Sequence, residues 1–124
     1  MQHKIFFLED NRTQILVLKL AFSGFENVEV SYFSKGKELI EALEVTPDIA
    51  IVDLMLPDID GLELIKTVRE KSPATKIVVI SAQEDVNIIA AVQKEGVFNY
   101  IVKSESSLSY LRQVIADLIA VIEA

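Results

Sequence analysis

Five short apolar runs, each parted from the next by a stretch of helical periodicity, constrain this chain more than any other feature. The runs are "KIFFL" (4–8), "VEVSYF" (28–33), "IAIVD" (49–53), "KIVVIS" (76–81) and "YIVK" (100–103). The first, third and fourth are apolar with little alternation, the pattern of strands covered on both faces. "VEVSYF" alternates more and reads as an edge strand. Between the runs, apolar residues recur at helical spacing over 11–23 (Ile15, Leu16, Leu18, Phe22), where Gly24 stands at the expected stop. The pattern returns in "GKELIEALE" (36–44, before Pro47), "GLELIKTVRE" (61–70, before Pro73), "DVNIIAAVQKEG" (85–96) and 107–123, with Ser107 the expected cap of the last helix. Strand and helix alternating five times predicts parallel strands joined by right-handed crossovers. The expected fold is α/β, a single doubly wound (βα)5 domain over 1–124 with helices on both sheet faces.

Composition narrows the chemistry. The 124 residues suit one domain, and 51% hydrophobic content can fill a core. There is no cysteine, which excludes disulfides, thiolate nucleophiles and Cys-based metal sites. "MQHKIFFLED" resembles a signal peptide only weakly, because its apolar stretch is short and runs into carboxylates. Lys19 interrupts the longest apolar run, so no membrane span is expected, and the cytoplasm is the expected location. A net charge of −7 sets the domain against phosphate backbones, so it is not expected to bind nucleic acid by itself.

In an open α/β sheet, ligands bind beyond the carboxyl ends of the strands. Strand one ends in Glu9 and Asp10, strand three in Asp53, strand four in Ser81 followed by Ala82, and strand five in Lys103. Taken singly, Asp10–Asn11 reads as a helix cap, Asp53 as a turn residue, Ser81 as a cap and Lys103 as a solvated lysine. Their shared placement at four strand ends points instead to one site. Three neighbouring carboxylates repel one another unless a cation intervenes. Mg²⁺ prefers a few carboxylate oxygens and readily accepts a phosphate oxygen, whereas a single histidine, His3, and no cysteine disfavour zinc. Asp53 then reads as a nucleophile that forms an acyl phosphate. Lys103, the Ser81 hydroxyl and backbone N–H groups after Asp53 and Ser81 would meet the phosphoryl charge.

These residues resemble the receiver domain of two-component response regulators. "LEDN" (8–11) is similar to that family's acidic pair and "DLMLPDIDG" (53–61) to its phosphoacceptor segment. "ISA" (80–82) is similar to its hydroxyl followed by a small residue, and "YIVK" (100–103) to its aromatic and lysine pair. The resemblance covers nearly the whole chain. It implies a flavodoxin-like sheet of order 2-1-3-4-5, with Asp53 taking a phosphoryl group from a histidine kinase or phosphotransfer protein. It further implies direct Mg²⁺ ligation by Asp10, Asp53 and the Met55 carbonyl, and Glu9 acting through a metal-bound water. Lys103, Ser81 and the backbone at Met55 and Ala82 would contact phosphoryl oxygens. Ser81 and Tyr100 would form a switch towards helix four, strand five and helix five. Such a domain assists its own phosphorylation and dephosphorylation but turns over no separate substrate. The chain departs from the family where Ser104 replaces the usual proline after the lysine, leaving that loop's geometry open. Met55 and Gln83 flank the phosphoryl position and are expected to influence its lifetime.

Three other functions compete. A flavodoxin-type electron carrier needs a Ser/Thr/Gly-rich loop after strand one, but "EDNRTQ" stands there. A haloacid-dehalogenase-type phosphatase needs an aspartate two residues after its nucleophile, where this chain has Met55. A phosphorylation-independent interaction module on the same scaffold is the remaining alternative. Helix five carries apolar residues over roughly 180° of its circumference, wider than the roughly 100° stripe that covers a sheet. Its margin of Tyr110, Val114 and Val121 is therefore expected to pack on a second copy or a downstream domain. No effector segment is read within the chain.

Overall fold

A computed structural model describes residues 2–124. Five strands, β1 (His3–Leu8), β2 (Val28–Phe33), β3 (Ile49–Val52), β4 (Lys76–Ser81) and β5 (Asn99–Val102), form one parallel sheet of order β2-β1-β3-β4-β5. The connecting helices are α1 (Arg12–Phe22), α2 (Gly36–Glu41), α3 (Gly61–Lys71) and α4 (Val86–Lys94), and α5 (Ser107–Glu123) closes the domain. The order expected from the family resemblance is therefore the one observed. The alternating "VEVSYF" run is an edge strand, and β3 is buried along its whole length.

The pleat sorts the core into two layers, because successive strand side chains point to opposite faces. Ile5, Phe7, Ile49, Ile51, Val78, Ile80 and Ile101 face α1 and α5, meeting Leu18, Phe22, Leu111, Ile115 and Leu118. Phe6, Leu8, Ala50, Val52, Ile77 and Val79 face the other way, against Leu39 of α2, Leu64, Ile65 and Val68 of α3, and Val92 of α4. Among the described residues every buried side-chain nitrogen or oxygen has a hydrogen-bond partner.

Several boundaries differ from expectation. The helix expected over 36–44 ends at Glu41 and tightens into a 3-10 turn over Ala42–Val45, as the chain turns through left-handed Thr46 into Pro47. In α4, Asp85 lies outside the helix as its cap, its carboxylate accepting the Asn87 N–H at 2.9 Å. Gly96, at φ +85°, lies beyond its other end. Ser107 is the first residue of α5 rather than its cap. Ser106 precedes the helix without a side-chain cap bond, and the Ser107 hydroxyl turns back to donate to the Ser104 carbonyl at 2.8 Å. The margin expected on α5 divides as well. Val114 is buried within this chain's own core, while Tyr110 and Val121 are 51% and 58% exposed.

Candidate functional site

Strand register brings the site together. Leu8 and Val52 are paired across β1 and β3, so the next residues, Glu9 and Asp53, emerge side by side. The pleat then assigns their direction. Glu9 continues the Ile5–Phe7 row, Asp53 the Ile49–Ile51 row, and Lys103 follows Ile101 by two positions, so all three lie on the α1/α5 side. Ser81 and Tyr100 have the opposite parity and belong to the layer under α3 and α4, where the Tyr100 ring packs.

Lys103 is the electrostatic centre. Its ammonium donates to Asp53 Oδ2 at 2.7 Å and to Glu9 Oε1 at 3.1 Å. The two carboxylate side chains are each 5% exposed and the lysine 33%, so the acids are shielded and the cation reaches solvent. The remaining carboxylate oxygens accept backbone bonds. Asp53 Oδ1 takes the Met55 N–H at 3.0 Å, and Glu9 Oε2 takes the Asn11 N–H at 3.2 Å. Burial pulls the Lys103 ammonium down, but its bond to Asp53 and the charges of Asp53 and Glu9 more than offset this and raise it above the ordinary lysine value.

Asp10 is placed differently. Its side chain is exposed, and the capping of α1 falls to Asn11, whose Oδ1 accepts the Gln14 N–H at 3.1 Å. Asp10 is thereby left at the mouth of the site with no hydrogen bond or ion pair among the described residues. Among those residues no ready-made cluster of three or more acidic, histidine or cysteine side chains is closed enough to hold a metal. The donors are nevertheless hard carboxylate oxygens, with no sulfur or imidazole beside them, which is the chemistry that Mg²⁺ suits.

On the opposite side of the sheet, one residue joins the two hydroxyls. The Gln83 N–H donates to Ser81 Oγ at 3.2 Å, and the Gln83 carbonyl accepts from the Tyr100 hydroxyl at 2.9 Å. Tyr100 is raised above the ordinary tyrosine value, chiefly by burial, with the Ser81 hydroxyl opposing and the Asp53 charge adding to the shift. The family resemblance marks Gln83 only as a flanking residue; its backbone role depends on a loop path that no side-chain identity announces. The loop after Lys103 contains no cis peptide and is closed by serines, with the Ser107 N–H bonding the Ser104 carbonyl at 3.2 Å.

Comparison with known proteins agrees with this fold. The family model described as "Response regulator receiver domain" matches residues 5–116. The chain belongs to that family. Receiver domains are the phosphoacceptor modules of two-component signalling, and this chain has their fold and their order of segments. It is 30% identical over 105 residues to the DNA-binding transcriptional regulator NtrC of Escherichia coli, covering 83% of this chain and 22% of that protein. The receiver thus spans about a fifth of the length of such relatives. Among solved structures, the signal receiver domain of a LuxO repressor protein from Vibrio parahaemolyticus superposes with a TM-score of 0.87 at 18% identity, covering 97% of this chain and 92% of that one. The response regulator domain of Thermotoga maritima CheB superposes at 0.80 and 20% identity, covering 100% of this chain and 98% of that one. No helix among the described residues is long and apolar enough to cross a membrane.

Proposed function

We propose that Asp53 is the phosphoacceptor of this receiver domain, taking its phosphoryl group from a histidine kinase or a histidine phosphotransfer protein. The supporting observation is the Lys103–Asp53 contact of 2.7 Å in a shielded pocket. A carboxylate oxygen of Asp53 attacks phosphorus, the P–N bond to the donor imidazole breaks, and the departing imidazole takes up a proton. The product is an aspartyl phosphate. Lys103 is already aimed at the attacking carboxylate and would follow the phosphoryl oxygens as they arrive, at the expense of its bond to Glu9. The Ser81 hydroxyl, now held by the Gln83 N–H, would donate to a phosphoryl oxygen, and the backbone at Met55 and Ala82 would add donors.

Mg²⁺, held by Asp10, Asp53 and the Met55 carbonyl with Glu9 behind a water, would supply the additional positive charge that phosphoryl transfer needs. The exposed Asp10 carboxylate suits this role, since nothing must be broken to release it. Because Ser81 and Tyr100 both bond the Gln83 peptide, movement of Ser81 towards phosphate would alter the loop that holds the tyrosine hydroxyl, and with it the entry to α4. The domain acts as an acceptor and switch, with no separate substrate of its own.

Mg²⁺ with acetyl phosphate, followed by intact mass, tests the assignment. One phosphoryl group should add to the wild type and none to Asp53→Asn. Labelling that survives in the variant, or fails in both, rejects Asp53 as acceptor.

A further inference from the structure

The segment joining β3 to α3 is held at a point that phosphoryl chemistry does not account for. The Asp58 carboxylate reaches across to α2, where Oδ1 accepts the Gly36 N–H and Oδ2 the Lys37 N–H, both at 3.0 Å. These are the first two residues of a helix more than twenty positions earlier in the chain. Ile59, the next residue, seats where a side chain on Gly36 would lie, since a Cβ at Gly36 would overlap Ile59 Cγ2. Gly36 is therefore a notch for the loop, and its φ is not positive. The N–H of Lys37 foremost holds the Asp58 carboxyl below the ordinary aspartate value; slight desolvation opposes this and the Gly36 N–H reinforces it.

Two further anchors fix the rest. Asp60 Oδ2 accepts the Glu63 N–H at 3.2 Å and caps α3, and Gly61 presses on the Leu54 backbone. Between Asp53 and Asp58 only residues 54–57 remain, and Met55, 57% exposed, has its N–H on Asp53. The far end of that short span is set by Asp58.

We propose that Asp58 is a positioning residue: by accepting the first two backbone N–H groups of α2, it holds the β3–α3 loop, and the Met55 peptide within it, in the geometry that phosphoryl transfer to Asp53 requires. This rests on the reading of Asp53 as phosphoacceptor. Asp58 touches neither the phosphoryl position nor Lys103, so its effect passes through the loop. A purely structural role would cost stability without altering the chemistry at a given folded fraction.

The test compares Asp58→Asn, which keeps one acceptor oxygen, and Asp58→Ala, which keeps none. Ile122→Ala serves as a control that trims a partly buried side chain near the far end of α5. Each is melted, titrated with Mg²⁺ by tyrosine fluorescence, and labelled with acetyl phosphate in a time course read by intact mass. Asp58→Ala should label about tenfold more slowly than wild type, within the roughly hundredfold that a 1 Å misplacement can cost. It should also bind Mg²⁺ several-fold more weakly. Asp58→Asn should fall between, and Ile122→Ala should label at the wild-type rate despite a lower melting temperature. Wild-type rates in folded Asp58 variants overturn the proposal, as does slowing in Ile122→Ala in proportion to its lost stability. If Asp58→Ala does not fold, Asp58→Asn decides alone. A wild type that takes no label defeats the phosphoacceptor reading itself, whereas normal labelling of every Asp58 variant defeats only the positioning role.

Discussion

Replacing Lys103 by methionine keeps the aliphatic stem and removes the charge that bridges Glu9 and Asp53. Both carboxylates then remain shielded, 5% exposed each, with no cation between them. The cost has a ceiling, because the site can take up a proton instead. For a carboxyl of ordinary acidity, protonation at pH 7 costs about 3.7 kcal/mol, at 1.36 kcal/mol per pH unit. It also has a floor. Lys103 is one-third exposed, so solvent already screens the pair, and fully exposed pairs are worth roughly 0–1 kcal/mol. We expect a loss of roughly 1–3 kcal/mol, below the ~3–5 kcal/mol for breaking a fully buried pair. For a domain of this size that lowers the melting temperature by roughly 4–12 °C. The assay is urea and thermal unfolding followed by circular dichroism at pH 7, in chelator and in millimolar Mg²⁺. Mg²⁺ at tenfold excess over its dissociation constant should stabilise the variant by about 1.4 kcal/mol relative to chelator, and should stabilise the wild type less. A Lys103→Met protein as stable as wild type in chelator, with melts indifferent to Mg²⁺, would refute the electrostatic account of the site.

The raised Lys103 value has a consequence at alkaline pH. A cation favoured by folding contributes fully below the ordinary lysine value of 10.5 and loses that contribution as pH rises through its higher folded value. The difference in urea midpoint between wild type and Lys103→Met should therefore be flat near pH 9 and close above pH 10.5; a constant gap to pH 12 counts against it. Gly61→Ala should destabilise by roughly 1–3 kcal/mol, since its Cβ would stand 2.7 Å from the Leu54 carbonyl oxygen and force backbone to move. Labelling by acetyl phosphate should slow with it, because Leu54 adjoins Asp53. Thr75→Val removes the 2.7 Å bond to the Pro47 carbonyl and the 2.6 Å bond with Ser72. It should cost roughly 1–3 kcal/mol by leaving buried partners unpaired. Those residues lie at the other end of the strands, so its labelling rate should match wild type.

The elements were legible because each strand carries an apolar run and each helix its own periodicity. β3 and β5 nonetheless stop one residue earlier than the runs suggest, placing Asp53 and Lys103 just outside the ladder. That detail follows from the chain turning away at the strand end, which hydrophobicity does not report. Glu9, Asp53, Lys103 and Ser81 were findable because a parallel sheet forces strand ends to one rim. The bridging role of Lys103 was harder to foresee, since the acids alone suggested only a metal between them. Asp58 left no signal beyond being one more turn residue: its partners are backbone N–H groups, which carry no identity in a sequence. Tyr110 and Val121 remain exposed, but Val114 belongs to the core, because an arc measured on a helical wheel does not show how deeply α5 sinks onto the sheet face beside α1.

A period of two is unforgiving of insertions. Deleting Asn99, at the start of β5, would shift the parity of everything after it, sending the ammonium beneath α4 and the phenol ring towards α1. Removing two would only shorten the strand. The acidic side chains and the tyrosine ring are kept on opposite faces by no more than alternation along the strands, so a surface laid over α4 would lie beside the Gln83 loop and leave the Glu9–Asp53 face uncovered.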